Sequence, residues 1–288
     1  MGKNKRQKLQ SSGGRKPKPA LAKTQGGRVS KPAPNTPKPK PHIQASQAEP
    51  TIPFLFNDQI LLIGEGDLSF ARSLVENHDC RNVTATVLES GKDELEEKYP
   101  HVGENIEVLE AAGAVVKYAV DAMKMPPWTD KKGRGGVGIM DRIFFNFPHV
   151  GGKSTDVNRQ VRYNQELLVA FFKAALPSLS PKSGSSIIVT LFEGEPYTLW
   201  NIRDLARHSG LQVEKSFKFQ AKAYPGYKHA RTLGVVKSKK GETGGGWKGE
   251  ERPARSYIFV RKGDKGAPLL GTNKQEEKDD EGEEEADD

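Results

Sequence analysis

Two short stretches of this 288-residue chain combine residue types that do chemistry. Gln59 to Phe70 reads Q-I-L-L-I-G-E-G-D-L-S-F, and Asp141 to Gly152 reads D-R-I-F-F-N-F-P-H-V-G-G. Each is an apolar run that stops abruptly at small and polar residues. In an open α/β sheet that pattern is a buried strand delivering a loop to its carboxyl end, where ligands bind. Two such loops predict a cofactor site beside a substrate site.

In the first loop, Gly64 and Gly66 stand between a predicted strand and a predicted helix. Glycines there let the backbone turn tightly and approach a ligand. Leu68, Ser69 and Phe70 complete the loop, and Ser69 stands where a dinucleotide fingerprint carries its third small residue. Glu89 closes the second predicted strand about twenty residues on, the place of an acid that accepts hydrogen bonds from ribose hydroxyls. Asp121 closes the third, where an acid meets an adenine amine. Glu65 and Asp67 flank the glycines, and two carboxylates repel a pyrophosphate at short range. They suit an adenosine cofactor that lacks phosphate and carries positive charge, which describes S-adenosylmethionine. The competing reading, a dinucleotide-dependent oxidoreductase, needs a third glycine and a loop without acids.

The second loop ends in Asn146, Phe147, Pro148 and His149. Asn146 offers donors and an acceptor in one plane, Phe147 a face for stacking, and His149 a titratable ring. Pro148 biases Phe147 toward an extended backbone. The tetrapeptide resembles the N-P-P-aromatic loop of amino-methyltransferases that act on nucleic acids, so these four are the candidate catalytic residues. Methylation of a pyrimidine ring carbon usually needs a cysteine nucleophile, and the single cysteine, Cys80, is expected at the wrong edge of the sheet. Ribose methylation usually uses a lysine-centred set, which Lys153 and Lys182 do not make. Nitrogen methylation remains. His149 is then either the acceptor of the substrate's proton or a donor to its carbonyl.

The elements that must hold these loops follow from hydrophobic periodicity. Strands are predicted at 60–63, 83–88, 114–120, 143–147, 185–191, 211–219 and 257–261, and helices at 67–77, 92–99, 105–112, 157–176 and 199–208. Gly210 caps the last helix. Strand–helix alternation means a mostly parallel sheet with helices on both faces, and the last two strands, with no helix between them, can pair antiparallel. Glycine-rich loops are expected at 133–138 and 237–252. Glu193 and Glu195 either shape the pocket or cap the helix that follows.

Residues 1–50 hold 12 Lys and Arg against one acid, with many Pro, Gly, Ser and Gln, and are expected to form a disordered basic arm. Residues 264–288 hold 11 acids against 3 Lys and read as a disordered acidic tail. The 51–263 domain between them has 30 basic and 25 acidic residues, so the net charge of +8 resides mainly in the arm. The arm opens K-N-K-R-Q-K, typical of nuclear or nucleic-acid-binding tails. One cysteine excludes intramolecular disulfides and Cys-clustered zinc, and points to a reducing, intracellular setting. No apolar stretch approaches the roughly 20 residues of a membrane span, and the first residues lack a secretory signal core.

Four motifs in order, I-G-E-G-D-L-S-F, F-N-F-P-H, L-F-E-G-E-P-Y and Y-P-G-Y-K-H-A-R-T, resemble the fungal large-subunit (25S) rRNA uridine-N(3)-methyltransferase family, over roughly 54–262. The resemblance implies a Rossmann-like methyltransferase fold, α/β, with S-adenosylmethionine as donor, ribosomal RNA or a pre-ribosomal particle as partner, and a nuclear, nucleolar location. It implies no metal. It lays the family's cofactor loop on Gly64 to Phe70 and its substrate loop on Asn146 to His149. Tyr224, Tyr227, His229 and Arg231 form either an RNA-facing wall or a structural turn around Pro225-Gly226. A non-catalytic RNA-binding assembly factor on the same fold is the alternative.

Overall fold

After Gln59, the strand β1 (Gln59–Ile63) is wholly aliphatic, as a strand covered on both faces must be. The same logic makes β2 (Asn82–Thr86), β4 (Arg142–Asn146) and β5 (Ser186–Phe192), the last buried along its whole length. The computed structural model describes residues 49–131, 135–152, 156–234 and 249–264. The arm to residue 48, Lys153, residues 133 and 134 of the expected glycine-rich loop, most of the expected 237–252 loop and the tail beyond Asp264 lie outside the described residues.

The remaining elements are α1 (Ser69–Asn77), α2 (Lys92–Lys98), α3 (Val102–Ala111), β3 (Val115–Lys117), α4 (Val157–Ala175), α5 (Ile202–His208), β6 (Leu211–Lys218) and β7 (Ala254–Arg261). The described strands form one sheet in the order β3-β2-β1-β4-β5-β7-β6. Pairs from β3 to β5 are parallel, and β7 runs antiparallel to both β5 and β6. The antiparallel strand, last of the described strands, therefore sits inside the sheet, and β6 takes the edge. Alternate residues of β1 face opposite layers. Ile60 and Leu62 pack with Phe70 and Leu74 of α1 and Ile106 and Leu109 of α3. Leu61 and Ile63 pack with Leu168, Phe171 and Phe172 of α4 and Ala206 of α5. Each fully buried side chain of this size contributes about 1.5–3 kcal/mol, so the two layers fix the register of the sheet.

Several predicted boundaries shift. The first helix begins at Ser69 rather than Asp67, because Leu68 takes a left-handed φ of 62° at the N-cap. The third strand has three residues, not seven, since Ala119 turns left-handed at φ 55° and its N–H bonds the Glu89 carbonyl. α3 starts at Val102, three residues earlier than its periodicity suggests. The expected helix 199–208 is broken at Asn201, with φ 49°, into a short 3-10 turn (Tyr197–Trp200) and α5. Gly210 follows α5 with φ 86° and bonds the Arg207 carbonyl, as a C-terminal glycine should. Among the described residues no helix is long and apolar enough to cross a membrane.

Candidate active site

The strand order reverses at β1, with β2 on one side and β4 on the other, and a crevice opens at such a switch point. Here it is a cavity of about 340 Å³, in the range of small-ligand sites. Gly64, Glu65, Gly66, Asp67, Phe70, Glu89, Asp121, Asn146, Phe147, Pro148 and His149 all line it. The two loops meet because Ile63 and Phe145 are register partners, so the residues after them leave the sheet side by side. Leu68 and Ser69, expected at the cofactor, do not line the cavity. Leu68 is fully buried in the core beneath α1. The Ser69 hydroxyl donates to the Lys228 carbonyl and accepts the Lys228 N–H, both at 3.0 Å.

The acids divide by environment. Glu65 is buried, its carboxylate accepts the Ala71 N–H at the start of α1, and its pKa is pushed up to about 8, chiefly by desolvation. Burial thus favours its neutral form, against the charge expected of it beside the glycines. Asp67 is bonded to the Ser69 N–H at 3.1 Å and to His101 Nε2 at 2.9 Å. Glu89 stands three residues beyond the end of β2, buried and ion-paired with Lys98, which shares the cavity wall. Asp121 accepts the Met123 N–H at 2.9 Å.

The glycines answer first to the protein. Gly64 has φ +64°, and a Cβ there would meet the Phe145 ring at 2.9 Å. A Cβ on Gly66 would lie 2.7 Å from the Ala230 methyl group. The chain from Tyr227 to Thr232 lies against the first loop, held by the Ser69–Lys228 bonds and by the Tyr99 hydroxyl, which donates to the Arg231 carbonyl at 2.7 Å. Tyr227, Lys228, His229, Ala230 and Thr232 thereby join the cavity wall. Of the four residues expected to form either an RNA-facing wall or a structural turn, Tyr224 is in the core, stacked 5.5 Å from Phe219 at 12°. Its neighbours Phe70 and Phe219 bury the ring. Arg231 is exposed at a second cavity of about 210 Å³, lined also by Phe147, His149, Phe192, Tyr197 and His229. Phe147, His149 and His229 belong to both cavities.

At the substrate loop, the Thr190 hydroxyl donates to Asn146 Oδ1 at 2.8 Å, and Asn146 Nδ2 is buried without a hydrogen-bond partner. An unsatisfied buried donor costs about 1–3 kcal/mol, and a ligand carbonyl would relieve it. Phe147 has φ 52°, not the extended backbone expected before proline. Its N–H continues the ladder to the Thr190 carbonyl at 2.8 Å, and its ring is held by Phe192, Phe219 and His229. Tertiary packing imposes a conformation that local sterics disfavour, as happens at functional sites. His149 Nδ1 accepts the Gly151 N–H at 2.9 Å, and burial lowers the His149 pKa. In the neutral ring the proton then sits on Nε2, a donor. His229 is held to a pKa of about 4 by burial, and its Nδ1 lies 3.0 Å from the Tyr227 hydroxyl.

Other nucleophiles are remote. Cys80 is buried at the amino end of β2, with its thiol pushed up to about 12 by burial. Lys182 pairs with Asp141 at the amino end of β4. Glu193 pairs with Arg255, and neither it nor Glu195 lines the two cavities. The sequence reading missed Lys98, Tyr99 and Thr190. Only Thr190 carried a signal, as a hydroxyl inside the apolar run S-I-I-V-T-L-F.

The reversed strand order, the inserted antiparallel strand and an acid-lined cavity at the switch point define a methyltransferase of the S-adenosylmethionine-dependent class. A family model described as BMT5-like, rRNA (uridine-N3-)-methyltransferase BTM5-like, matches residues 61–231. The chain belongs to this rRNA uridine-N3-methyltransferase family, which implies S-adenosylmethionine as methyl donor. It is 30% identical over 257 residues to the 25S rRNA (uridine(2634)-N(3))-methyltransferase of Saccharomyces cerevisiae, covering 73% of this chain and 74% of that protein. It is 29% identical over 180 residues to the human ferredoxin-fold anticodon-binding domain-containing protein 1, covering 59% of this chain and 27% of that one. Among solved structures it is similar to the 16S rRNA methyltransferase KamB, with a TM-score of 0.39 and 13% identity over 71% of this chain and 88% of that one.

Proposed function

We propose that the larger cavity holds S-adenosylmethionine and that an unpaired or flipped uridine of ribosomal RNA enters through the smaller one, to be methylated at ring nitrogen 3. The observation that carries this reading is a pair of donors on one loop, Asn146 Nδ2 and His149 Nε2. Uracil presents two carbonyl oxygens flanking an imide N–H, so its edge calls for two donors. A base inside a duplex cannot reach such a loop, hence the requirement for an unpaired or flipped nucleotide.

Bound in the larger cavity, the cofactor supplies an electrophilic methyl group. Gly64 and Gly66 provide backbone for it, Glu89 acceptors for ribose hydroxyls, Asp121 an acceptor for the adenine amine, and Asp67 negative charge for its cationic end. The chain's own contribution to the reaction is at the uracil. Donors on both carbonyl oxygens would stabilise the anionic ring once the imide proton has passed to solvent water or hydroxide, leaving the ring nitrogen lone pair free to take the methyl group. His149 acts here as a donor, because its Nδ1 lone pair is already engaged by Gly151. Phe147, Phe192, Tyr197 and His229 give the smaller cavity aromatic walls for a planar ring.

Asn146→Ala is expected to lower turnover by about 10²–10³, the effect of losing one oxyanion donor, while S-adenosylmethionine affinity by calorimetry stays unchanged. The product is read by mass spectrometry of nucleosides from unmethylated rRNA. Normal turnover would remove Asn146 from the mechanism. The basic arm supports a nuclear, nucleolar location. A fluorescent fusion lacking residues 1–50 that still concentrates in nucleoli would separate location from the arm.

A further inference from the structure

Asn146, Thr190 and Ser256 occupy one row across three adjacent strands. Asn146 is the register partner of Thr190, and Thr190 of Ser256. Thr190 Oγ1 lies 2.8 Å from Asn146 Oδ1 and 2.9 Å from Ser256 Oγ. With Thr190 donating to Asn146, it accepts from Ser256, so the row is a relay of hydroxyl bonds directed at one amide oxygen. Thr190 and Ser256 are 1% and 2% exposed and line neither cavity.

An amide turned by 180° exchanges its donor and acceptor in nearly the same space. Whatever holds the oxygen therefore chooses what the other atom reads. We propose that Thr190, backed by Ser256, is a specificity-determining positioning residue that keeps the Asn146 oxygen turned into the sheet, so that the site meets its substrate with an N–H and selects uracil over cytosine.

This rests on the uracil reading above. Cytosine differs from uracil at the edge in question. One carbonyl becomes an amino group, and the ring nitrogen carries a lone pair and no proton. Cytosine needs no deprotonation to accept a methyl group, so intrinsic reactivity does not exclude it. Exclusion must come from the site. A fixed donor facing the cytosine amino group leaves two donors opposed and unsatisfied, the kind of mismatch by which hydrogen-bonding sites reject near-isosteres strongly. A free amide would turn and accept from the amino group instead. The ordinary account of Thr190, a strand hydroxyl satisfied by its neighbours, explains the bonds but predicts no change in base choice when they are removed.

The test uses full-length wild type, Thr190→Val, Thr190→Ser and Ser256→Ala, each with two RNA fragments that differ only in U or C at the target. N3-methyluridine and N3-methylcytidine are counted by mass spectrometry, with cofactor affinity and thermal midpoint measured alongside. Thr190→Val is expected to slow uridine methylation by about tenfold and to lower the uridine-to-cytidine ratio by about tenfold or more, as discrimination by an oriented donor is lost. Cofactor affinity should not move. Thr190→Ser restores both rate and ratio. Ser256→Ala shifts the ratio in the same direction by less, and it carries the test alone if Thr190→Val does not fold. A ratio unchanged in Thr190→Val, or in Ser256→Ala where that variant carries the test, overturns the proposal even where stability falls. Wild type that makes no N3-methyluridine overturns the uracil reading itself, a result seen before any variant is compared.

Discussion

Burial favours the protonated form of Glu65 in the folded chain over the unfolded one. Its folded pKa of about 8 stands above the ordinary 4.5 because desolvation of the carboxyl outweighs the hydrogen bond from the Ala71 N–H, and repulsion from Asp67 adds a smaller upward push. Between pH 4.5 and 8 the unfolded state binds fewer protons than the folded one, so stability falls as pH rises through that window and levels off above it. The slope from this single group is at most about 1.4 kcal/mol per pH unit. Glu65→Gln removes it, and urea unfolding from pH 5 to 8 should give a flatter curve for the variant. Equal slopes would show that Glu65 is ionised in the folded protein. His149 makes the opposite kind of statement. Burial lowers its pKa from 6.5, and Gly151 occupies its lone pair. Single-turnover rates should rise with pH as the weakly acidic imide ionises, without a histidine inflection at 6.5 or above. An acid limb centred there, and absent from His149→Gln, would restore His149 as the proton acceptor.

The first loop and the chain from Tyr227 to Thr232 behave as one unit at the scale of elements. Their contact is close at Gly66, where a methyl group would stand 2.7 Å from the Ala230 methyl. Gly66→Ala should therefore push the two apart, at a cost of about 1–3 kcal/mol for the overpacked contact. Weakened S-adenosylmethionine binding should follow, because both segments line the larger cavity. Adding Ala230→Gly makes the missing space and should recover most of the affinity. A double variant as poor as Gly66→Ala would mean the glycine serves the ligand directly. Gly64 has no such partner rescue, since its φ of +64° is itself unfavourable for any side chain. Periodicity located both loops on strand ends, because apolar alternation and its interruption are local. It could not show that Y-P-G-Y-K-H-A-R-T returns to cover the first loop, or that Tyr224 turns into the core while Tyr227 reaches the cavity. Those choices depend on Ser69 and Tyr99, more than a hundred residues away in the chain, and on a ring stack with Phe219 that only the folded turn forms.

For the whole molecule, charge is distributed unevenly, with 12 of the cations in residues 1–50. Contacts of such cations with phosphate release counterions, so binding weakens with salt roughly in proportion to their number. Deleting the arm should reduce RNA affinity and flatten its logarithmic salt dependence, measured by fluorescence anisotropy at about 50–200 mM salt. An unchanged slope would assign RNA binding to the folded domain alone.

The amino-acid order by itself determined the layered α/β plan, the two chemical loops and their place at the carboxyl ends of β1 and β4. These follow from side-chain hydrophobicity and backbone preference over a few residues. The tertiary structure decided which groups there are desolvated and how their hydrogen bonds run. Burial raises the Glu65 pKa, aromatic packing holds Phe147 at a positive φ, and a hydroxyl 44 residues away holds the Asn146 amide oxygen. Protonation and hydrogen-bond direction depend on desolvation and on partners brought in by folding, and neither is a property of a residue's neighbours in sequence.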